Sequence, residues 1–207
     1  SQGYDITWDG VGHIYITGNF DITGDFDFGP GTTTLDRTNG SIFVAKYDLD
    51  ANLAWAFNVG SLQAGVGMGI QVDGDGNVII GGEFRGVPDF DPGPATAFGT
   101  NSALFNAFMA KYTSDGNYIW HRDAADGNRG RAFPMGVDAD DNIFVGLHFQ
   151  GTSDLDPGPG VNNFTAQGED IAIAKYDSTG ALMWVNHFSG VFSEYIPVSY
   201  THLRAHE

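Results

Sequence analysis

Asp89-Phe90-Asp91-Pro92-Gly93-Pro94-Ala95 decides how this chain folds, because it occurs three times. Asp25-Phe26-Asp27-Phe28-Gly29-Pro30-Gly31 lies 64 residues earlier, and Asp154-Leu155-Asp156-Pro157-Gly158-Pro159-Gly160 lies 65 residues later. Other anchors keep the same interval: the pairs Lys46-Tyr47, Lys111-Tyr112 and Lys175-Tyr176, then Trp55, Trp120 and Trp184. The chain has no lysine outside this one repeat position, which scattered solubilising lysines would not produce. Independent anchors sharing one period define a tandem structural unit.

Each unit reads as four strands, A to D. In the second unit strand A covers about 65–72, and strand B about 77–84 with Val78, Ile80 and Phe84 on one face at period two. Strand C covers about 105–112, and strand D about 117–123 and carries Trp120. Asp-Gly and Gly-Asn pairs between the apolar runs mark hairpins, since glycine takes positive φ without steric cost. Repeated antiparallel meanders of this kind are propeller blades, which bury their faces by stacking on one another. Ala45, Ala110 and Ala174 share one strand C position, where bulk would hold neighbouring sheets apart. The expected fold is therefore all-β, an open β-propeller fragment of about three four-stranded antiparallel blades. Its expected divisions are 1–60, 61–125 and 126–190, followed at 191–207 by the start of a further blade running into a non-native tail. Three blades leave two open faces, so the remaining blades of the same polypeptide, or another chain, are expected partners.

Composition narrows the function classes. A formal net charge of −17, from 26 acidic and 9 basic residues, opposes binding to nucleic acid and to anionic membranes. The chain has no cysteine, which removes thiolate chemistry and cysteine–zinc sites. It also has no apolar run long enough to enter a membrane as a helix. It opens on Ser1 rather than Met, so a preceding segment is expected.

The acidic loops are the first candidate site. Asp25 and Asp27, Asp89 and Asp91, and Asp154 and Asp156 each place two carboxylates one residue apart beside a stiff Pro-Gly segment. They could offer oxygens to Ca²⁺, or fold as Asx turns that accept backbone N–H groups. Turns are favoured, since Ca²⁺ takes roughly six to eight ligands and each loop shows two acids. The loops are expected on the rim that also carries the D-to-A connections. The turns at 73–77 and 138–142 resemble half an EF-hand loop but lack its distal glutamate, and read as hairpins. Lys111 is expected to approach Asp73 or Asp75, and Lys175 to approach Asp138 or Asp140, as structural pairs of modest value if exposed, the alternative being an anion-binding ring. The first unit departs from the pattern: Gly10-Val11-Gly12-His13 replaces the acidic turn, and Phe28 replaces the first proline. Trp55, Trp120 and Trp184 are expected to pack between blades with each indole N–H bonded, the alternative being stacking on sugar rings. No Ser-His-Asp arrangement or nucleophile elbow is present, so hydrolase chemistry of that kind has no support in the sequence and no catalytic residue is assigned.

Ala45-Lys46-Tyr47-Asp48, the turns Asp75-Gly76-Asn77 and Asp115-Gly116-Asn117, the strand D tryptophans and the repeated acidic loops together resemble the seven-bladed β-propeller repeat family. The resemblance implies a bacterial protein that is secreted or held at the cell surface, and it implies no reaction. The expected role is a non-catalytic binding or scaffold segment contacting an unknown protein or carbohydrate, without a cofactor other than the calcium considered above. The alternatives are a fragment of a secreted propeller enzyme acting on polysaccharide, and a calcium-dependent adhesion or lectin module.

Overall fold

The computed structural model describes residues 1–37, 40–60, 63–100, 102–125 and 127–190. The expected start of a further blade and the tail, 191–207, lie outside the described residues.

The described residues form three antiparallel meanders. The first consists of β1 (Gln2–Trp8) and β2 (His13–Asn19), a small hairpin β3 (Gly24–Asp25) and β4 (Thr34–Leu35), then β5 (Ile42–Asp48) and β6 (Leu53–Val59). Its main sheet runs β1-β2-β5-β6. The second contains β7 (Ala64–Val72), β8 (Val78–Gly86), β9 (Ser102–Tyr112) and β10 (Tyr118–Ala125). The third contains β11 (Arg129–Val137), β12 (Ile143–Asp154), β13 (Asn163–Tyr176) and β14 (Leu182–Phe188). Neighbouring strands within each meander pair antiparallel, and a single parallel bridge, Arg129 to Phe105, joins the second meander to the third. The architecture is all-β and open, as the repeat predicts.

Six five-residue turns connect A to B and C to D, and all are built alike. They begin at Asp9, Asp48, Asp73, Thr113, Asp138 and Asp177. In each, a side-chain oxygen of the first residue accepts backbone N–H groups of the third and fifth. The fourth residue has positive φ in every copy: Gly12, Ala51, Gly76, Gly116, Asp141 and Gly180. Glycine suits that position, and Ala51 and Asp141 adopt it at a steric cost. The half EF-hand patterns are thus hairpin turns whose first carboxylate is bonded to backbone.

Period-two alternation sends each strand's side chains to two faces, so the middle blade feeds two cores. Val78, Ile80, Phe84, Phe108 and Ala110 meet Tyr15, Ile42, Val44 and Val59 of the first blade. Ile79, Ala107, Met109 and Trp120 meet Ile143, Val145, Leu147 and Ala174 of the third. Ala45 belongs to a third cluster, with Phe20, Phe26, Phe43 and Tyr47, on the outer face of the first blade. Strand A of the third blade approaches strand B of the second so closely that a Cβ on Gly81 would lie 2.5 Å from the Pro134 ring.

Candidate functional site

Each acidic loop is a miniature hairpin with one register. Asp25 pairs with Thr34, Asp89 with Phe98, and Asp154 with Asn163. The first aspartate of each loop closes it. Asp25 Oδ1 accepts N–H from Asp27 and Thr33, Asp89 Oδ1 from Asp91 and Ala97, and Asp154 Oδ1 from Asp156 and Asn162, all at 2.8–3.1 Å. The second shapes the tip. Asp27, Asp91 and Asp156 each accept the N–H of a glycine two residues on, at 2.7, 2.7 and 2.8 Å. Asp27 Oδ2 and Asp156 Oδ2 lie so close to Gly31 and Gly160 that a side chain there would collide with them. All six carboxylates therefore serve as acceptors for their own backbone. No group of three or more His, Asp or Glu able to hold a metal ion occurs among the described residues.

The residue between the paired aspartates is apolar and buried in every copy: Phe26, Phe90 and Leu155. Its carbonyl accepts the phenol O–H of the repeat tyrosine, from Tyr47 at 2.8 Å, Tyr112 at 3.0 Å and Tyr176 at 3.3 Å. Burial, reinforced by the loop aspartates, raises all three phenol pKa values, so the hydroxyls remain donors.

These bonds correct the expected placement of the loops. The base of the second loop is on the expected rim, where Asp89 and Gly60 exchange both backbone hydrogen bonds at 3.0 Å. The loop then folds back across its blade toward the opposite rim. Tyr112, which holds Phe90, sits at the C–D turn and pairs with Val78 at the start of strand B. Asp91, Pro92, Gly93 and Pro94 line a groove of about 370 Å³ with Phe57 of the first blade and Gly116, Asn117 and Tyr118 of their own C–D hairpin. The physical reason is burial: Phe90 packs on Phe84 and Phe108 and stacks on His121, and a loop projecting into water would expose it. The acidic loop is a wedge in the gap where neighbouring blades diverge.

The lysine–tyrosine pair works on both faces, because adjacent strand residues point oppositely. Tyrosine grips the blade's own loop, while lysine turns toward the next blade. Lys111 Nζ lies 2.7 Å from Asp73 Oδ2, and Lys175 Nζ lies 2.8 Å from Asp138 Oδ2, the pairings expected. The Lys111 pair is not exposed, however: its side chains retain 7% and 0% of their accessible surface. The bonds from Lys175 and then Asn142 hold the Asp138 carboxyl well below the usual range. Lys46, whose equivalent acid Asp9 is bonded to His13, lies over the Tyr15 ring at 5.2 Å. Asp9 opens the equivalent turn but binds the His13 ring at 2.8 Å; burial raises its pKa, but the turn's N–H groups and His13 outweigh that and hold it at about 2.

Lysine and tryptophan are cross-strand partners in all three blades: Lys46 with Trp55, Lys111 with Trp120, Lys175 with Trp184. Trp55 and Trp120 pack at the seams, and their indole N–H groups donate to Ser114 and Ser178 carbonyls of the following blade at 3.1 and 3.2 Å. Ala110 and Ala174 are wholly buried at the seams, and Ala45 is wholly buried at the equivalent position of the first blade.

Sequence reasoning missed two polar features. Glu83 is buried and bonded to Arg131 at 2.9 Å across the second seam, although neither residue recurs in the repeat. Asp5, buried on strand A of the first blade, accepts the N–H of Ile70 at 2.8 Å. Burial pushes its pKa up to about 6 against the opposing effect of its backbone hydrogen bonds.

No family model matches the chain. Over 148 residues, 65% of the chain, it is 26% identical to an uncharacterized WD repeat-containing protein of Acanthamoeba polyphaga mimivirus. The matched stretch is 9% of that protein, so the chain spans less than a tenth of this curated relative. WD repeats take roughly 40–45 residues per four-stranded blade. The longer period here is accommodated by the folded-back acidic loop, and the distant similarity accords with propeller blades.

Proposed function

We propose that this chain is a non-catalytic scaffold segment of an extracellular propeller, related to the seven-bladed repeat proteins of bacterial surfaces, in which the acidic loops set the spacing of the blades. One observation carries this reading: the motif aspartates make the same backbone hydrogen bonds in all three copies. Each carboxylate uses its Oδ1 to build a turn, which gives the recurring acids a structural role that needs no bound ion. The partner-binding surface is the outer perimeter formed by the proline–glycine tips, presented once per blade, which suits repeated weak contacts. The strongly acidic surface favours a basic partner over nucleic acid or anionic lipid.

A carbohydrate array, run with calcium and with chelator, tests the scaffold reading against the adhesion module. The expected result is no chelator-sensitive glycan binding. Glycan binding that disappears with chelator and in Asp91→Asn would replace the scaffold with a calcium-dependent lectin.

A further inference from the structure

The two internal seams differ at one place on strand D. Phe57 of the first blade and Arg122 of the second are equivalent, each two residues after its blade's tryptophan. Both cover the C–D turn of the next blade. A Cβ on Gly116 would lie 3.1 Å from the Phe57 ring, and one on Gly180 would lie 3.0 Å from the Arg122 side chain. Both also lie on the tryptophan, Phe57 stacked on Trp55 at 5.2 Å and the Arg122 guanidinium over Trp120 at 5.3 Å. Only Arg122 brings a charge and donors. Its guanidinium donates to the Thr179 carbonyl at 2.8 Å and to the His121 carbonyl at 2.7 Å. The second seam thus supplies its own guanidinium, whereas the first has a hydrocarbon ring in that place.

The groove of about 370 Å³ opens beside Phe57, and both of its walls belong to adjoining blades of this chain. Tyr118 gives it a second aromatic ring, where the other blades have Leu53 and Leu182. Asp91 is the one charged residue among those lining it. Asp91 Oδ1 accepts the Gly93 N–H, and Oδ2 takes no part in that turn. The volume sits at the low end of the roughly 300–1,000 Å³ typical of ligand pockets, which suits one side chain better than a run of sugar rings. Aromatic faces beside a carboxylate match a guanidinium, which stacks on rings and forms charge-assisted hydrogen bonds with carboxylate oxygens.

We infer that this groove receives an arginine side chain from a basic protein partner, its guanidinium lying against Phe57 and Tyr118 and bonded to Asp91. The inference rests on the scaffold reading above and names the chemistry of its partner. The partner supplies at the first seam the group that Arg122 supplies at the second from within. The chain's net charge of −17 attracts such a partner. The proline–glycine tips offer a repeated contact, and this groove fixes its register. Phe57 and Tyr118 have no aromatic counterpart in the other blades, whose residues there are Arg122 and Asn186, and Leu53 and Leu182.

An NMR titration of the 207-residue chain tests the inference. The probe is the acetylated, amidated peptide Gly-Ser-Arg-Ser-Gly, and its control carries citrulline, a neutral isostere, in place of arginine. The arginine peptide should shift the amides of Asp91, Gly93, Gly116, Asn117 and Tyr118, and the citrulline peptide should bind about tenfold more weakly. Asp91→Asn keeps an oxygen for the Gly93 turn and removes the charge. It should weaken the arginine peptide by about tenfold with the circular dichroism unchanged, and added salt should weaken wild-type binding. Tyr118→Leu, which installs the residue type of the other blades, should weaken it by about threefold. Absence of shifts at these amides, equal binding of the citrulline peptide, or undiminished binding by Asp91→Asn overturns the inference. A glycan that shifts the same amides also overturns it, since the groove then belongs to a sugar. Failure of the arginine peptide leaves the chelator-dependence of glycan binding unchanged. The scaffold reading and the arginine site can therefore fail separately.

Discussion

The second and third blades carry the same motif in different surroundings. Their lysine–aspartate distances are nearly equal, 2.7 Å for Lys111–Asp73 and 2.8 Å for Lys175–Asp138. Burial separates them: the first pair keeps 7% and 0% of its side-chain surface, the second 18% and 28%. The hydrogen-bond geometry therefore belongs to the repeat unit, while the energetic weight of each bond comes from the neighbouring blade. A position conserved along the chain need not be equivalent in stability.

Removing one partner should magnify that contrast. Lys111→Met leaves Asp73 buried without its counter-charge and should cost about 3–5 kcal/mol in urea unfolding. Lys175→Met should cost a small fraction of that, because water reaches its partner. Equal costs would mean that the repeat unit alone sets the energy.

Asp5 sharpens the comparison from the first blade. Its folded pKa of about 6 lies above the ordinary 3.8, so the folded state binds the proton more tightly than the unfolded state does. Its contribution to stability is thus fully favourable only at low pH and is lost as pH rises through about 6. Asp5→Asn keeps an acceptor for Ile70 and removes the buried charge. It should stabilise the protein at neutral pH by up to about 3 kcal/mol, and the gain should vanish on acidification toward pH 4. Asp138 has the opposite sign. Its depressed pKa adds stability above the ordinary carboxylate range, lost as pH falls below it.

Smaller effects should follow in the turns. Asp89→Ala removes the acceptor that closes the second acidic loop and should cost about 1–2 kcal/mol. Ala51→Gly should stabilise by about 1 kcal/mol or less, because Ala51 holds a φ of 64° that glycine adopts freely. Thermal melts at fixed pH would read both.

The blades, their strand order and the lysine pairings were legible because periodicity and residue type encode them directly. The direction of the acidic loops was not. The interval shows where each loop starts, yet the force folding it back is the burial of Phe26, Phe90 and Leu155, whose environment only the three-dimensional packing reveals. An apolar residue recurring between two acids was the available signal. The tyrosine and tryptophan bonds end on backbone carbonyls, and a carbonyl leaves no mark in a sequence. Glu83–Arg131 was invisible for another reason: it occurs once, and repeat analysis weights what recurs.

The central claim is that the motif aspartates are spent on their own backbone. Amide hydrogen exchange tests it most directly, read at the N–H groups of Asp91, Ala97, Asp156 and Asn162. Slow exchange without calcium, lost at Asp91 and Ala97 alone in Asp89→Ala, is the predicted result. Fast exchange at these amides, or protection that appears only when calcium is added, would contradict it.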